Sequence, residues 1–172
     1  MRTCIGNQER IRVGRRTVIT LRDLVPERGP IRMLIIGKTP LPESVKAGHY
    51  FQGSHGQFLW GELRRYGLLR THDGECEDDG LIRHGYGITD VVKAPRASGD
   101  EPSAVEYRAG WPAVAAIIER LEPELLFWPY KGALDTVVRR VFGLREKARY
   151  GFNPKLNRLF GARVFAFGMP GT

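Results

Sequence analysis

"IRMLIIGKTP", residues 31–40, decides the architecture. Ile31, Met33, Leu34, Ile35 and Ile36 make an almost unbroken apolar run that Gly37 ends. A strand with one wet face alternates apolar and polar residues. A strand covered on both faces does not, and such runs belong to parallel sheets sandwiched between helices. Two stretches repeat the pattern, "ELLFWPY" (124–130) and "GARVFAFG" (161–168), and "YGITDVV" (86–92) is a shorter one. Between them lie segments of helical spacing. "GQFLWGELRRYGLL" (56–69) is closed by Gly67, "SAVEYRAGWPAVAAIIERLEP" (103–123) carries Pro112 as a bend and Pro123 as a stop, and "GALDTVVRRVFG" (132–143) ends at Gly143. Alternating strand and helix predicts an α/β fold: a three-layer αβα sandwich with a small, mostly parallel central sheet of about four strands.

The length of 172 residues fits one domain with one sizeable core, here taken as residues 1–172. Residues 1–16 read as an irregular polar arm and "TLRDLVPE" (20–27) as a short helix with Thr20 as N-cap, so residues 1–30 are expected to be an arm and a helix. Cys4 and Cys76 are too few for a disulfide framework and lack metal-ligand spacing, so no metal or cofactor is expected and a reducing cytosol is the expected compartment. No run reaches the roughly 18 apolar residues of a membrane span.

The net charge of +8 favours a polyanionic partner, and its distribution strengthens that reading. Eight Lys and Arg lie between Arg139 and Arg163 against one acid, Glu146. The segment "REKARYGFNPKLNRLFG" (145–161), basic with interleaved Tyr150 and Phe152, reads as a DNA-contacting surface or as a solvated connector with aromatics tucked inward.

Ligands of open α/β sheets bind where strands end and loops begin, so "GKTPLP", "WPYKG" and "GMPGT" are the candidate site loops. The first resembles a phosphate-binding loop only superficially. A Walker A loop needs a glycine five positions before Gly37, and that position is Arg32. Pro40 and Pro42 also remove two N–H donors that a phosphate would use.

The longer stretch "GKTPLPESVKAGHYFQGSHGQFLW" (37–60) resembles the uracil-DNA glycosylase superfamily, in its mismatch-specific uracil/thymine branch. Gly37 and Pro40 match that branch's "G-I-N-P-G" strand end. Gly48, His49, Phe51, Gly53 and Phe58 match its "G-H-H-Y-P-G-P-G-N-x-F-W" segment. "YGITDVVKAPRASGDE" (86–101), "FWPYKGA" (127–133) and "FAFGMPGT" (165–172) follow in matching order, so the resemblance covers most of residues 31–172.

The resemblance implies a monofunctional DNA glycosylase that flips uracil, or a related deaminated base, out of DNA and hydrolyses its N-glycosidic bond without a cofactor. The partner would be damaged DNA, and the working form a monomer. Base-binding residues would be Gly37, Pro40 and Phe51, with Phe51 as the stacking plane; a lone Phe can equally be core. Thr39 takes the place of the family's water-positioning Asn. Lacking an amide, it is expected to activate water weakly or differently, so a nucleic-acid-binding relative with little turnover is the alternative. A small-molecule enzyme acting on a nucleotide is the third reading.

Lys38 would stabilise the departing uracil anion or contact a phosphate. His49 would contact the flipped nucleotide's phosphate or sugar, or else cap its loop. His55 reads as surface. Asp90 would activate water in place of the missing Asn, or cap the next turn. Lys131 would contact a phosphate, and Met169, Pro170 and Gly171 match the family's intercalating loop.

Overall fold

The computed structural model of the protein describes residues 5–169. Strands β1 (Gln8–Val13) and β2 (Arg16–Leu21) form an antiparallel hairpin. The central sheet contains β3 (Met33–Gly37), β4 (Tyr86–Asp90), β5 (Leu125–Trp128), β6 (Gly151–Phe152) and β7 (Arg163–Ala166), in the order β4-β3-β5-β7-β6. The first four strands in that order run parallel, and the short edge strand β6 is antiparallel to β7. Helices α1 (Pro42–Ala47), α2 (Ser54–Arg65), α3 (Ala104–Leu121), α4 (Lys131–Thr136) and α5 (Pro154–Phe160) complete the layers.

Period-two alternation within a fully apolar strand explains the sandwich. Leu34 and Ile36 of β3 point into a core shared with α3, α4 and α5, and Leu126, Trp128 and Val164 do the same from β5 and β7. Met33 and Ile35 point the other way, into a second core with Leu59, Trp60 and Leu63 of α2 and Leu21 of the hairpin. The expected α/β sandwich is therefore present, with five sheet strands where about four were expected. The extra one is β6, two residues whose sequence carries no strand signal of its own.

The N-terminal expectation is corrected. Residues 8–21 form the hairpin, and Leu24 bridges to Ile88 where a helix was expected. "TVIT" is β-branched and favours extended backbone, and Gly14, with φ +60°, permits the tight turn between the strands. Thr20 caps nothing; its hydroxyl is buried and donates to the Lys93 carbonyl. Helix α3 begins at a full capping box, Ser103 with Glu106, and runs through Pro112. Past α4 the chain continues as a widened π-helical turn over residues 137–141. Among the described residues no helix is long and apolar enough to cross a membrane.

Candidate functional site

Strands β3 and β4 are in register, with Gly37 opposite Asp90 at their carboxyl ends. That pairing makes the glycine necessary. A Cβ at Gly37 would lie 2.0 Å from Asp90 Oδ1, so only a residue without a side chain lets the carboxylate fold across the strand end. The chain then turns through Lys38, Thr39 and Pro40 into α1. After α1 it forms a tight loop, in which Phe51 holds a left-handed backbone with φ +54°. Such a conformation costs a bulky L-residue about 1–2 kcal/mol, so its surroundings must enforce it. Gly56, in the first turn of α2, leaves room for it: a Cβ there would lie 2.1 Å from the Phe51 carbonyl oxygen.

These elements enclose a cavity of about 170 Å³ at the carboxyl ends of the strands. Thr39, Pro40, Phe51, His55, Asp90 and Tyr130 are among its lining residues. The turn after β3 and the aromatic of the α1–α2 loop thus face one another across one space. The Phe51 ring meets Trp60 edge-on at 5.8 Å between centroids and Tyr130 at 6.2 Å, so aromatic contacts fix its plane.

Asp90 is the chemically unusual group. It is 3% exposed, and its Oδ2 has no hydrogen-bond partner among the described residues. Burial pushes its carboxyl up to about 7, a rise that Lys93 opposes and Asp23 reinforces. The same burial, with help from Asp90, pushes Tyr130 up to about 12, so its hydroxyl stays neutral. Behind the cavity, Lys93 bridges Asp23, at 2.5 Å, and the Tyr50 hydroxyl, at 3.2 Å. A buried carboxyl that titrates near neutrality in a cleft is a common mark of acid–base chemistry.

The other candidates divide. The Thr39 hydroxyl donates to the Ala94 carbonyl at 2.6 Å, so its one proton is engaged, and the residue lines the cavity. The Lys38 ammonium pairs with Glu101 and lies 5.5 Å from the centre of the Tyr130 ring; Lys38 is not among the lining residues. His49 is not among the lining residues: its Nδ1 is 2.8 Å from the buried Asp78 Oδ1. His55, read as surface, lines the cavity instead.

Lys131 forms an ion pair with Asp135 at 2.6 Å and lies 5.8 Å from the centre of the Tyr150 ring. Met169 is 3% exposed and packs in the same core as Tyr50 and Trp60, so its side chain supports the cavity wall and does not project as a wedge. Pro170 and Gly171 lie outside the described residues. Tyr130, at the N-terminus of α4, was missed as a lining residue; its place in "WPYKG", at a strand end, was the available signal.

The chain is similar to known proteins over most of its length. A family model described as the uracil DNA glycosylase superfamily matches residues 26–160, which include every described lining residue named above. A curated protein of Schizosaccharomyces pombe (strain 972), described as a G/U mismatch-specific uracil DNA glycosylase, is 27% identical over 138 residues. The match takes in 77% of this chain and 41% of that protein, so the chain spans less than half the length of the relative.

Proposed function

The chain belongs to the uracil DNA glycosylase superfamily, and from that premise we propose that it removes uracil, or a related deaminated base, from DNA by base flipping and hydrolysis. The observation that carries this reading is the Asp90 carboxyl, buried with one oxygen unpartnered in the wall of the cavity that Phe51 and Thr39 also line.

The flipped base stacks on Phe51, an interaction of about 1–3 kcal/mol per base. Tyr130, kept neutral by burial, offers a hydroxyl to the nucleotide. As the C1′–N bond stretches, positive charge builds on the sugar and negative charge on the base. An ionised Asp90 lies in a low-dielectric wall, where its charge counts for most. It orients a water and accepts its proton as the water oxygen bonds to C1′ and the base leaves with the bond electrons. Thr39, whose hydroxyl proton is committed to Ala94, accepts a hydrogen bond from that water and does not ionise it. Lys38, paired with Glu101, takes no part in the reaction.

A basic surface suits the partner. The Arg139–Arg163 stretch supplies charge for the phosphate backbone, with Tyr150 and Phe152 exposed within it. Arg163 packs its guanidinium 4.6 Å from the centre of the Phe152 ring.

The test is incubation of the purified chain with single-stranded, A:U and G:U oligonucleotides, followed by alkali to cut abasic sites. Alkali-dependent cleavage at the uracil is the expected result. Salt-sensitive binding without cleavage would leave a binding protein of the same family and refute the catalytic reading.

A further inference from the structure

On the far side of the α1–α2 loop from the cavity, three segments converge on a group of side chains that the glycosylase chemistry does not use. Asn7 comes from the hairpin's leading edge, His49 from just past the end of α1, Asp78 and Asp79 from the 3-10 turn Glu77–Gly80, and Cys76 from the position just before that turn. One ring nitrogen of His49, the Cys76 sulfur and a carboxylate oxygen of Asp79 all lie within 4.8 Å of one another. Zinc bonds of about 2.0–2.3 Å place tetrahedral ligand atoms roughly 3.3–3.8 Å apart, so closing on a metal requires about 1 Å of movement. Asp79 is 40% exposed at its side chain and Cys76 is partly exposed, so both can make that movement.

The charge balance points the same way. The protein carries 27 Lys and Arg against 19 Asp and Glu, and its other carboxylates commonly find a cationic partner, as Glu75 does in Arg83 and Glu77 in Arg64. Among the described residues Asp78 and Asp79 have no Lys or Arg partner; their only ion-pair partner is His49, although the Asp78 side chain is fully buried. The Asn7 amide sits 3.2 Å from an oxygen of each, and a neutral amide supplies hydrogens but no full charge. Buried carboxylates that lack a cation cost stability unless one is provided.

We propose that His49, Cys76 and Asp79 bind a divalent transition metal, zinc above all, with water in the fourth position, while Asp78 holds the His49 ring through Nδ1 and leaves the other ring nitrogen for the metal. The ligand set decides the metal. Imidazole, thiolate and carboxylate together suit zinc, whereas calcium and magnesium want oxygen alone. Asp78 plays the part that carboxylates behind metal-bound histidines commonly play, fixing ring orientation and tautomer. On binding, the Cys76 thiol gives up its proton to solvent as the S–Zn bond forms. The bound ion ties the 76–80 turn to the loop that carries Tyr50 and Phe51, and the Tyr50 N–H already donates to Asp78 at 2.8 Å.

This site stands apart from the cavity, so its test does not depend on glycosylase activity. The purified full chain is dialysed against graded zinc and its metal content measured. Cobalt is then substituted and its absorption recorded. The expected result is one zinc per chain, a thiolate-to-cobalt charge-transfer band, and a thermal midpoint raised by zinc. Cys76→Ser should abolish the band and weaken zinc binding at least about a hundredfold, and Asp79→Asn should weaken it roughly tenfold or more. His72→Ala, an exposed histidine in the neighbouring loop, should leave zinc binding unchanged. Serine is close in size to cysteine and Asp79 is half-exposed, so both variants are expected to fold, which circular dichroism checks. The proposal is overturned if wild type binds zinc no more tightly than Cys76→Ser, or if the cobalt band is absent or survives in that variant.

Discussion

Replacing Asp90 with Asn should remove a large part of the pH dependence of stability. Burial holds the Asp90 carboxyl at about 7 in the folded chain, against an ordinary value of 3.8. The difference of about 3 pH units, at about 1.4 kcal/mol each, amounts to roughly 4 kcal/mol. The sign follows from which state holds the proton. Between 3.8 and 7 the unfolded chain has released it and the folded chain has not, so stability falls as pH rises through that window. It is fully present below 3.8 and the loss is complete above 7. An asparagine cannot titrate and shows no such loss. Urea unfolding of both proteins from pH 4 to pH 9 measures it, because titrating groups that do not interact with Asp90 cancel in the difference between the two curves. The Asn variant should gain up to about 4 kcal/mol on wild type across that range, whatever fixed cost its buried amide adds. Parallel curves would refute the reasoning, for they would mean that Asp90 is ionised or well solvated throughout. The same carboxyl predicts a rate of uracil removal that rises with pH through about 7 in wild type, where the carboxylate is the working form. The variant should lose on the order of 10²–10⁴-fold in rate at pH 8.

Gly37→Ala puts a methyl group 2.0 Å from Asp90 Oδ1, which must move or push the strands apart; thermal denaturation should show a loss of about 1–3 kcal/mol or more, with activity falling alongside. Phe51→Ala removes the stacking plane, and single-turnover cleavage should slow about 5- to 150-fold, matching a loss of 1–3 kcal/mol; an unchanged rate would mean the base binds elsewhere. Thr39→Val breaks the bond to the Ala94 carbonyl and should cost about 1–2 kcal/mol in urea unfolding. Its cleavage rate should stay within roughly a factor of ten, since Asp90 carries the proton; a loss as great as that of the Asp90 variant would move the water to Thr39.

The sheet was legible because its signal is local. The run from Met33 to Gly37 is apolar at every position, and only a strand covered on both faces needs that; the structure sends Leu34 and Ile36 to one core and Met33 and Ile35 to the other. Helix α3 was legible for the same reason, through its spacing and its stop at Pro123. The hairpin was not. Its strands alternate weakly, carry many charges and owe their stability to the residues they cover, so the stretch reads as a polar arm until its partners are known.

The site divides along the same line. The family resemblance put Thr39, Pro40 and Phe51 at one pocket, and they line one cavity. From the sequence His49 reads as a catalytic residue or, about equally, as a loop cap, and Asp90 reads first as a turn cap and only second as a water activator. Both are polar residues at the end of an element, and each could serve the site or a loop. Their difference comes from residues distant in the chain: Asp78, 29 positions on, takes the His49 ring, and Gly37, 53 positions back, lets Asp90 lie buried across the strand end. Sequence by itself determined the four parallel strands of the central sheet and the helices α2 and α3, because burial on one or two faces is written as a local period. Tertiary structure decided which side chain is stripped of water and left without a partner, because desolvation depends on everything that packs around a group, most of it distant in the chain.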